Sequence, residues 1–249
     1  MAVSARAQMT GLTDLLAAIT ADHEPSWNNF KDLRAPCQID HPIPFFGPAD
    51  EAMVLTVGVN PAWTEFRDRA WPVSMTVGQL EGRLRAYFTS APVPRHDWFE
   101  PWEEALSEIG VCYGAAAAHL DLSPRATRAM RSCPADRFLA MVQEDVRWFF
   151  QMLPLCRQVK VILFAGTVRS RVYMNRFVAK IARVHGFDLR GRPVSRGRAP
   201  VDFHTLVGGG RKLPVFFCGV SPSAPDPSGL IERVQEHRAV LAEWTRGQL

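Results

Sequence analysis

The sequence predicts an α/β fold, a three-layer α/β/α sandwich around a four-stranded, mainly parallel sheet with strand order 2-1-3-4. Three observations lead there. Four short apolar runs, rich in β-branched or aromatic residues, are bounded by turn residues in the manner of strands buried on both faces. Helical stretches separate them, and that alternation produces parallel strands joined by right-handed crossovers. The length of 249 residues, with 47% hydrophobic and 22% charged residues, fits ordinary globular composition. The whole chain, 1–249, is read as one domain.

In chain order, residues 1–50 supply a helix and then a loop wrapping the body, because Pro25, Pro36, Pro42, Pro44 and Pro48 interrupt regular structure across 23–50. The first strand is Met53–Val59 (MVLTVGV). Helices over Thr76–Tyr87 and Pro101–Ile109 lead to the second strand, Ala117–Leu122 (AAHLDL), whose alanines would equally suit a helix. A helix over Pro134–Leu153 precedes the third strand, Val159–Ala165 (VKVILFA), and another over Arg169–His185 follows it. Residues 186–212 carry Arg190, Arg192, Arg196, Arg198, Arg211 and Lys212 against only Asp188 and Asp202, and include Gly208-Gly209-Gly210. This stretch reads as a basic, flexible connection, either a track for a phosphate backbone or a solvated loop. The fourth strand is Pro214–Val220 (PVFFCGV), and a helix over Gly229–Arg246 closes the fold.

Composition excludes several classes. No run approaches the roughly 18 consecutive apolar residues of a membrane-spanning helix. The first 24 residues contain Asp14, Asp22 and Glu24 and no long apolar core, against export or transit. Cys37, Cys112, Cys133, Cys156 and Cys218 are scattered and odd in number, which argues against a disulfide framework and a compact metal site. A monomeric cytoplasmic protein without metal or cofactor is the expectation. The formal charge of +4 suits an anionic partner without requiring one. The basic residues are mostly arginine, with Lys31, Lys160, Lys180 and Lys212 the only lysines. Arginine favours bidentate phosphate recognition, although a GC-rich genome would also enrich it.

In a parallel sheet the ligand site lies beyond the carboxyl ends of the strands. Gly58-Val59-Asn60-Pro61 follows the first strand. Gly58 lets the backbone approach a ligand, Pro61 fixes the turn, and the Asn60 amide can hold a water or a base edge, unless the pair is only a turn. His119 and Asp121 are two apart in an extended segment and so share one face, as a contact set or as a structural pair. After the fourth strand comes Ser221-Pro222-Ser223-Ala224-Pro225-Asp226-Pro227-Ser228. Its stiff backbone and hydroxyls could grip a phosphate at the start of the last helix, or Asp226 or Ser228 could merely cap that helix. No GxSxG elbow, HExxH helix or phosphate-binding glycine loop occurs.

Together these pieces resemble the uracil-DNA glycosylase superfamily. VLTVGVNPA at 54–62 resembles its first motif, closest to the mismatch-specific and single-strand-selective monofunctional branches. SPSAPDP at 221–227, about 160 residues later, resembles the second motif of the single-strand-selective branch. The resemblance spans roughly residues 50–245. It implies a monofunctional DNA glycosylase that flips a base from single- or double-stranded DNA and hydrolyses its N-glycosidic bond. On that resemblance Asn60 orients the attacking water and Ser221 stands at the leaving base. Gly58 and Pro61 shape the pocket, and Trp71 or Phe66 stacks on the base. His119 or Asp121 reads its edge. Ser223, Ser228, Arg196 and Arg198 contact DNA, and Leu230 wedges into the vacated stack. Two positions depart from the family: Ser221 replaces the second-motif histidine, and the base-reading asparagine is absent. Uracil as the substrate base therefore does not follow. The alternatives are a non-catalytic nucleic-acid-binding relative and a hydrolase of a small nucleoside-like metabolite.

Overall fold

A computed structural model of the chain describes residues 10–34, 41–61, 71–72, 74–90, 96–129, 132–164, 179–194, 201–220 and 228–246. Its strands are β1 (Phe45–Phe46), β2 (Val54–Gly58), β3 (Ala117–Asp121), β4 (Val161–Phe164), β5 (Phe187–Val194), β6 (Val201–Gly208) and β7 (Arg211–Phe217). They form one sheet in the order β1-β3-β2-β4-β7-β6-β5. The inner four, β3, β2, β4 and β7, are mutually parallel and correspond to the four apolar runs in the order the sequence predicts.

The sheet is nevertheless mixed and seven-stranded rather than four-stranded, and two segments account for the difference. Phe45–Phe46 leaves the proline-rich stretch to pair antiparallel with β3. The stretch read as a flexible basic connection holds β5 and β6, which continue the sheet antiparallel from β7. Its backbone pairing is extensive, and Leu206 and Phe187 are buried. Arginines had masked an apolar-polar alternation typical of a sheet edge.

Every residue of β2, β3 and β4 is buried, so both faces of the inner sheet are covered. The helices are α1 (Leu12–Trp27), α2 (Val77–Arg85), α3 (Glu100–Ser107), α4 (Ala135–Met152), α5 (Ala179–Val184), α6 (Ser228–Glu236) and α7 (Arg238–Arg246). They fall into two packed groups: α1 contacts α2 and α4, and α4 contacts α5, while α3 contacts α6 and α6 contacts α7. Helix α2 starts at a capping box, with Thr76 Oγ1 accepting from the Gln79 amide at 3.2 Å and Gln79 Oε1 accepting from the Thr76 amide at 2.9 Å. The single closing helix expected over 229–246 is divided at His237 into α6 and α7. No helix among the described residues is long and apolar enough to cross a membrane.

Candidate functional site

At the carboxyl ends of β2 and β3 lies a small, half-open cavity of about 70 Å³. Parallel pairing sets its floor, placing Thr56 beside His119 and Gly58 beside Asp121. These residues share one sheet face, and the absence of a side chain at Gly58 makes the room. A Cβ there would lie 2.7 Å from Asp121 Oδ1 and 3.1 Å from His119 Nε2. Gly58 therefore serves close packing of the His–Asp pair.

His119 is 2% exposed and held from both sides. Its Nδ1 is 2.9 Å from Thr56 Oγ1, which in turn is 2.6 Å from the Tyr113 hydroxyl. On the other side Nε2 makes a longer contact, 3.4 Å, to Asp121 Oδ1. Three aromatic rings surround the imidazole, with centroids of Trp98 at 4.6 Å, Phe99 at 5.2 Å and Phe46 at 6.1 Å. Burial raises the Asp121 carboxyl above its ordinary range, opposed by His119. Its Oδ2 is buried with no hydrogen-bond partner among the described residues, although Asp121 lines the cavity. A buried orphan of this kind calls for an explanation, and a ligand group supplies one.

Asn60 and Pro61 complete the rim. The Asn60 Nδ2 donates to Thr127 Oγ1 at 2.9 Å, to the Pro61 carbonyl at 3.1 Å and to the Arg125 carbonyl at 3.2 Å. Carbonyls only accept, so the nitrogen must face them, and Oδ1 is left as the uncommitted amide atom among the described residues. The segment that receives Asn60 is itself anchored. Arg125, 1% exposed, pairs with Asp145 at 2.9 Å and Glu144 at 3.1 Å, and Ser123 Oγ donates to Asp145 Oδ2 at 2.6 Å. The guanidinium also lies over Trp27 and Phe30, with centroids at 5.5 and 5.0 Å. Burial pushes the Asp145 carboxyl up to about 7, against the pull of Arg125.

No family model, no curated protein and no solved structure matches the chain.

Of the residues predicted from sequence, Gly58, Asn60, Pro61, His119 and Asp121 line this one cavity. Trp71 does not. It packs at the edge of the core under the Arg83 guanidinium, 5.1 Å from its ring centroid. The aromatic walls come instead from Phe46, Trp98 and Phe99. Phe46 arrives because β1 places it directly opposite His119. Trp98 and Phe99 arrive on a short 3₁₀ turn, Asp97–Phe99, which His96 caps by accepting the Trp98 amide at Nδ1, 3.1 Å away. The run HDWF at 96–99, a capping residue beside two aromatics, was the available signal.

Leu230 is fully buried in α6, packed in the core, and cannot act as an exposed wedge. Its place one turn into an amphipathic helix explains this: it lies on the inward face with Val234. Ser228 is the exposed first residue of α6. Among the arginines of 186–212, Arg211 donates to the carbonyls of Cys156 and Val159, and Arg190 pairs with Asp188 at 2.7 Å. Phe66, Arg196, Arg198, Ser221 and Ser223 lie outside the described residues. Among those described, no cluster of three or more His, Cys, Asp or Glu is placed to hold a metal ion.

Proposed function

We propose that the protein is a DNA base-excision glycosylase, hydrolysing the N-glycosidic bond of a flipped uracil-like or modified base. The observation that carries this reading is the content of one cavity. An anchored asparagine, an aromatic wall and a buried His–Asp pair meet at the carboxyl ends of two adjacent parallel strands. An aromatic-walled slot accepts a planar ring, because ring faces stack without regard to sequence. A carboxyl at its floor reads the ring's edge by hydrogen bonding. Flipping brings a base to such a slot and leaves its sugar at the rim, where Asn60 stands.

The chemistry asked of Asn60 is modest. As the glycosidic bond breaks, positive charge develops on the sugar, and the main requirement is a water held in line with C1′. Asn60 Oδ1 can accept from that water because Nδ2 is fixed by Thr127 and Arg125, leaving the amide one orientation. Water adds through its oxygen to the sugar carbon, the base leaves with the bonding pair and takes up the proton that the water gives up, and no enzyme-bound intermediate forms. A set of oligonucleotides bearing different modified bases, incubated with the protein and treated with alkali, tests the reading. Strand breaks at one class of base support it. Intact strands across the set, with DNA bound, would favour a non-catalytic binding protein. Cleavage of free nucleosides alone would favour a metabolite hydrolase.

A further inference from the structure

The reading of the cavity as a base slot leaves open which base edge it accepts, and Asp121 bears on that question. The carboxyl is 4% exposed, lines the cavity and leaves Oδ2 without a partner among the described residues. Two proton arrangements satisfy its contact with His119 and leave Oδ2 an acceptor. In one, Thr56 donates to Nδ1, and Nε2–H donates to an ionised Asp121 at Oδ1. In the other, Nδ1–H donates to Thr56, and a proton on Asp121 Oδ1 is donated to Nε2. Both arrangements are compatible with the 2.9 and 3.4 Å separations. In both, Oδ2 is purely an acceptor; a proton carried on Oδ2 itself would instead make it a donor to a ring carbonyl, the state that uracil binding as tightly as the best amino base would reveal.

The second uncommitted acceptor in the same lining is Asn60 Oδ1, whose partner nitrogen is already bound to three acceptors. On the side of Asp121 and Asn60 the slot therefore asks its ligand for N–H donors, whereas His96, which also lines it, accepts the Trp98 amide at Nδ1 and so carries the proton of a neutral ring on Nε2. An imide N–H, flanked by two carbonyls, brings one donor and two acceptors to this edge. An exocyclic amino group brings two N–H donors on one atom. Resting on the base-slot reading, we infer that the cavity selects a heterocycle presenting an exocyclic amino group to Asp121 Oδ2, in preference to a 2,4-dicarbonyl ring such as uracil. Cytosine-, adenine- and guanine-type rings belong to the accepted class.

The test is calorimetric titration of the full chain with free cytosine, adenine and guanine, with the N,N-dimethylamino counterpart of each, and with uracil. Dimethylation removes the N–H donors and keeps the ring, and an unpaired buried acceptor lowers affinity roughly 5- to 150-fold. At least one amino base is expected to bind more tightly than its dimethyl counterpart and than uracil by a factor in that range. Asp121→Asn, checked for folding by circular dichroism, should erase the gap, since its amide adds a donor at the same place. Uracil binding as tightly as the best amino base would overturn the inference. So would indifference to dimethylation, an unchanged gap in D121N, or no binding of any free base. Free-base binding without excision from DNA leaves this inference standing and removes the glycosylase reading. Excision of uracil at wild-type rate by D121N does the reverse.

Discussion

A methyl group added at Gly58 examines the floor of the site directly. In Gly58→Ala the new Cβ would sit 2.7 Å from Asp121 Oδ1, 3.1 Å from His119 Nε2 and 3.2 Å from His119 Cε1. Ordinary contacts of this kind lie nearer 3.5–4.0 Å, so something must move. Neither neighbour has an easy exit. His119 is walled by Phe46, Trp98 and Phe99 and tied to Thr56, and Asp121 is buried beside it. Forcing one methyl into a packed site costs about 1–3 kcal/mol, offset by about 0.4–1 kcal/mol from a less flexible unfolded chain. The net expectation is a loss of up to about 2.6 kcal/mol, centred on about 1.3 kcal/mol, or roughly 3–5 °C in Tm at that centre for a domain of this size. Urea and thermal unfolding measure it. Gly82→Ala in α2 is the control: nothing lies within 4 Å of its added Cβ, and helix propensity should raise stability by about 0.5–1 kcal/mol. If Gly58→Ala were as stable as the parent while Gly82→Ala behaved as expected, the packed His119–Asp121 floor would be refuted.

Other substitutions separate the parts of the account. Thr127→Val removes one of three acceptors on the Asn60 amide; turnover should fall roughly 2- to 10-fold with DNA affinity unchanged, as single-turnover kinetics beside a binding isotherm would register. Trp98→Ala takes away a wall of the cavity and should weaken binding of lesion-bearing DNA by about 1–3 kcal/mol, measured by fluorescence anisotropy. On the proposed DNA-binding reading, affinity for DNA should fall log-linearly with salt through counterion release, and a flat salt profile would speak against a phosphate-contacting surface. Burial, aided by the Arg125 charge, holds the His23 imidazole down at about 3, so the native protein stays unprotonated where the unfolded chain takes up a proton. Its contribution to stability is whole above the unfolded pKa of about 6.5 and is lost as pH falls toward 3, by roughly 2 kcal/mol at pH 5. Asp145, held at about 7, acts with the opposite sign, its contribution falling as pH rises from about 4 to 7. His23→Gln, which keeps an acceptor for the Trp27 indole, should therefore lose less stability than the parent on acidification, as urea midpoints across that range would report.

The inner sheet was legible because three of its four strands are short, nearly unbroken apolar runs, while the fourth, AAHLD, equally suits a helix and was placed by its position between helical stretches. VLTVG, VILF and PVFF declare themselves in this way. The edges were not legible. Phe45–Phe46 is a two-residue strand inside a proline-rich segment, too short for any periodicity, and its pairing with β3 is a long-range contact. Phe187–Val194 and Val201–Gly208 pair antiparallel, and the arginines spread through this stretch of sequence, Arg190 exposed among them, concealed the alternation. In the site, Gly58, Asn60, His119 and Asp121 followed from the rule that ligands bind at strand ends. The aromatic wall did not follow. Phe46 depends on β1 pairing with β3, and Trp98 and Phe99 depend on the turn that His96 caps, so Trp71 was the nearer aromatic in sequence but not in space. Arg125 and Thr127, which fix Asn60, lie 65 and 67 positions away from it, with no local pattern to link them.

The most direct measurement compares the parent protein with Asn60→Ala on DNA carrying the most readily excised base, following abasic-site formation under single-turnover conditions alongside DNA binding. If Asn60 holds the attacking water as proposed, its loss should lower the excision rate by roughly 100- to 1000-fold, the scale of one removed transition-state contact, while DNA affinity stays within about twofold. Borohydride should trap no protein–DNA adduct in either protein. Undiminished excision by Asn60→Ala, or a trapped covalent adduct, would contradict the account.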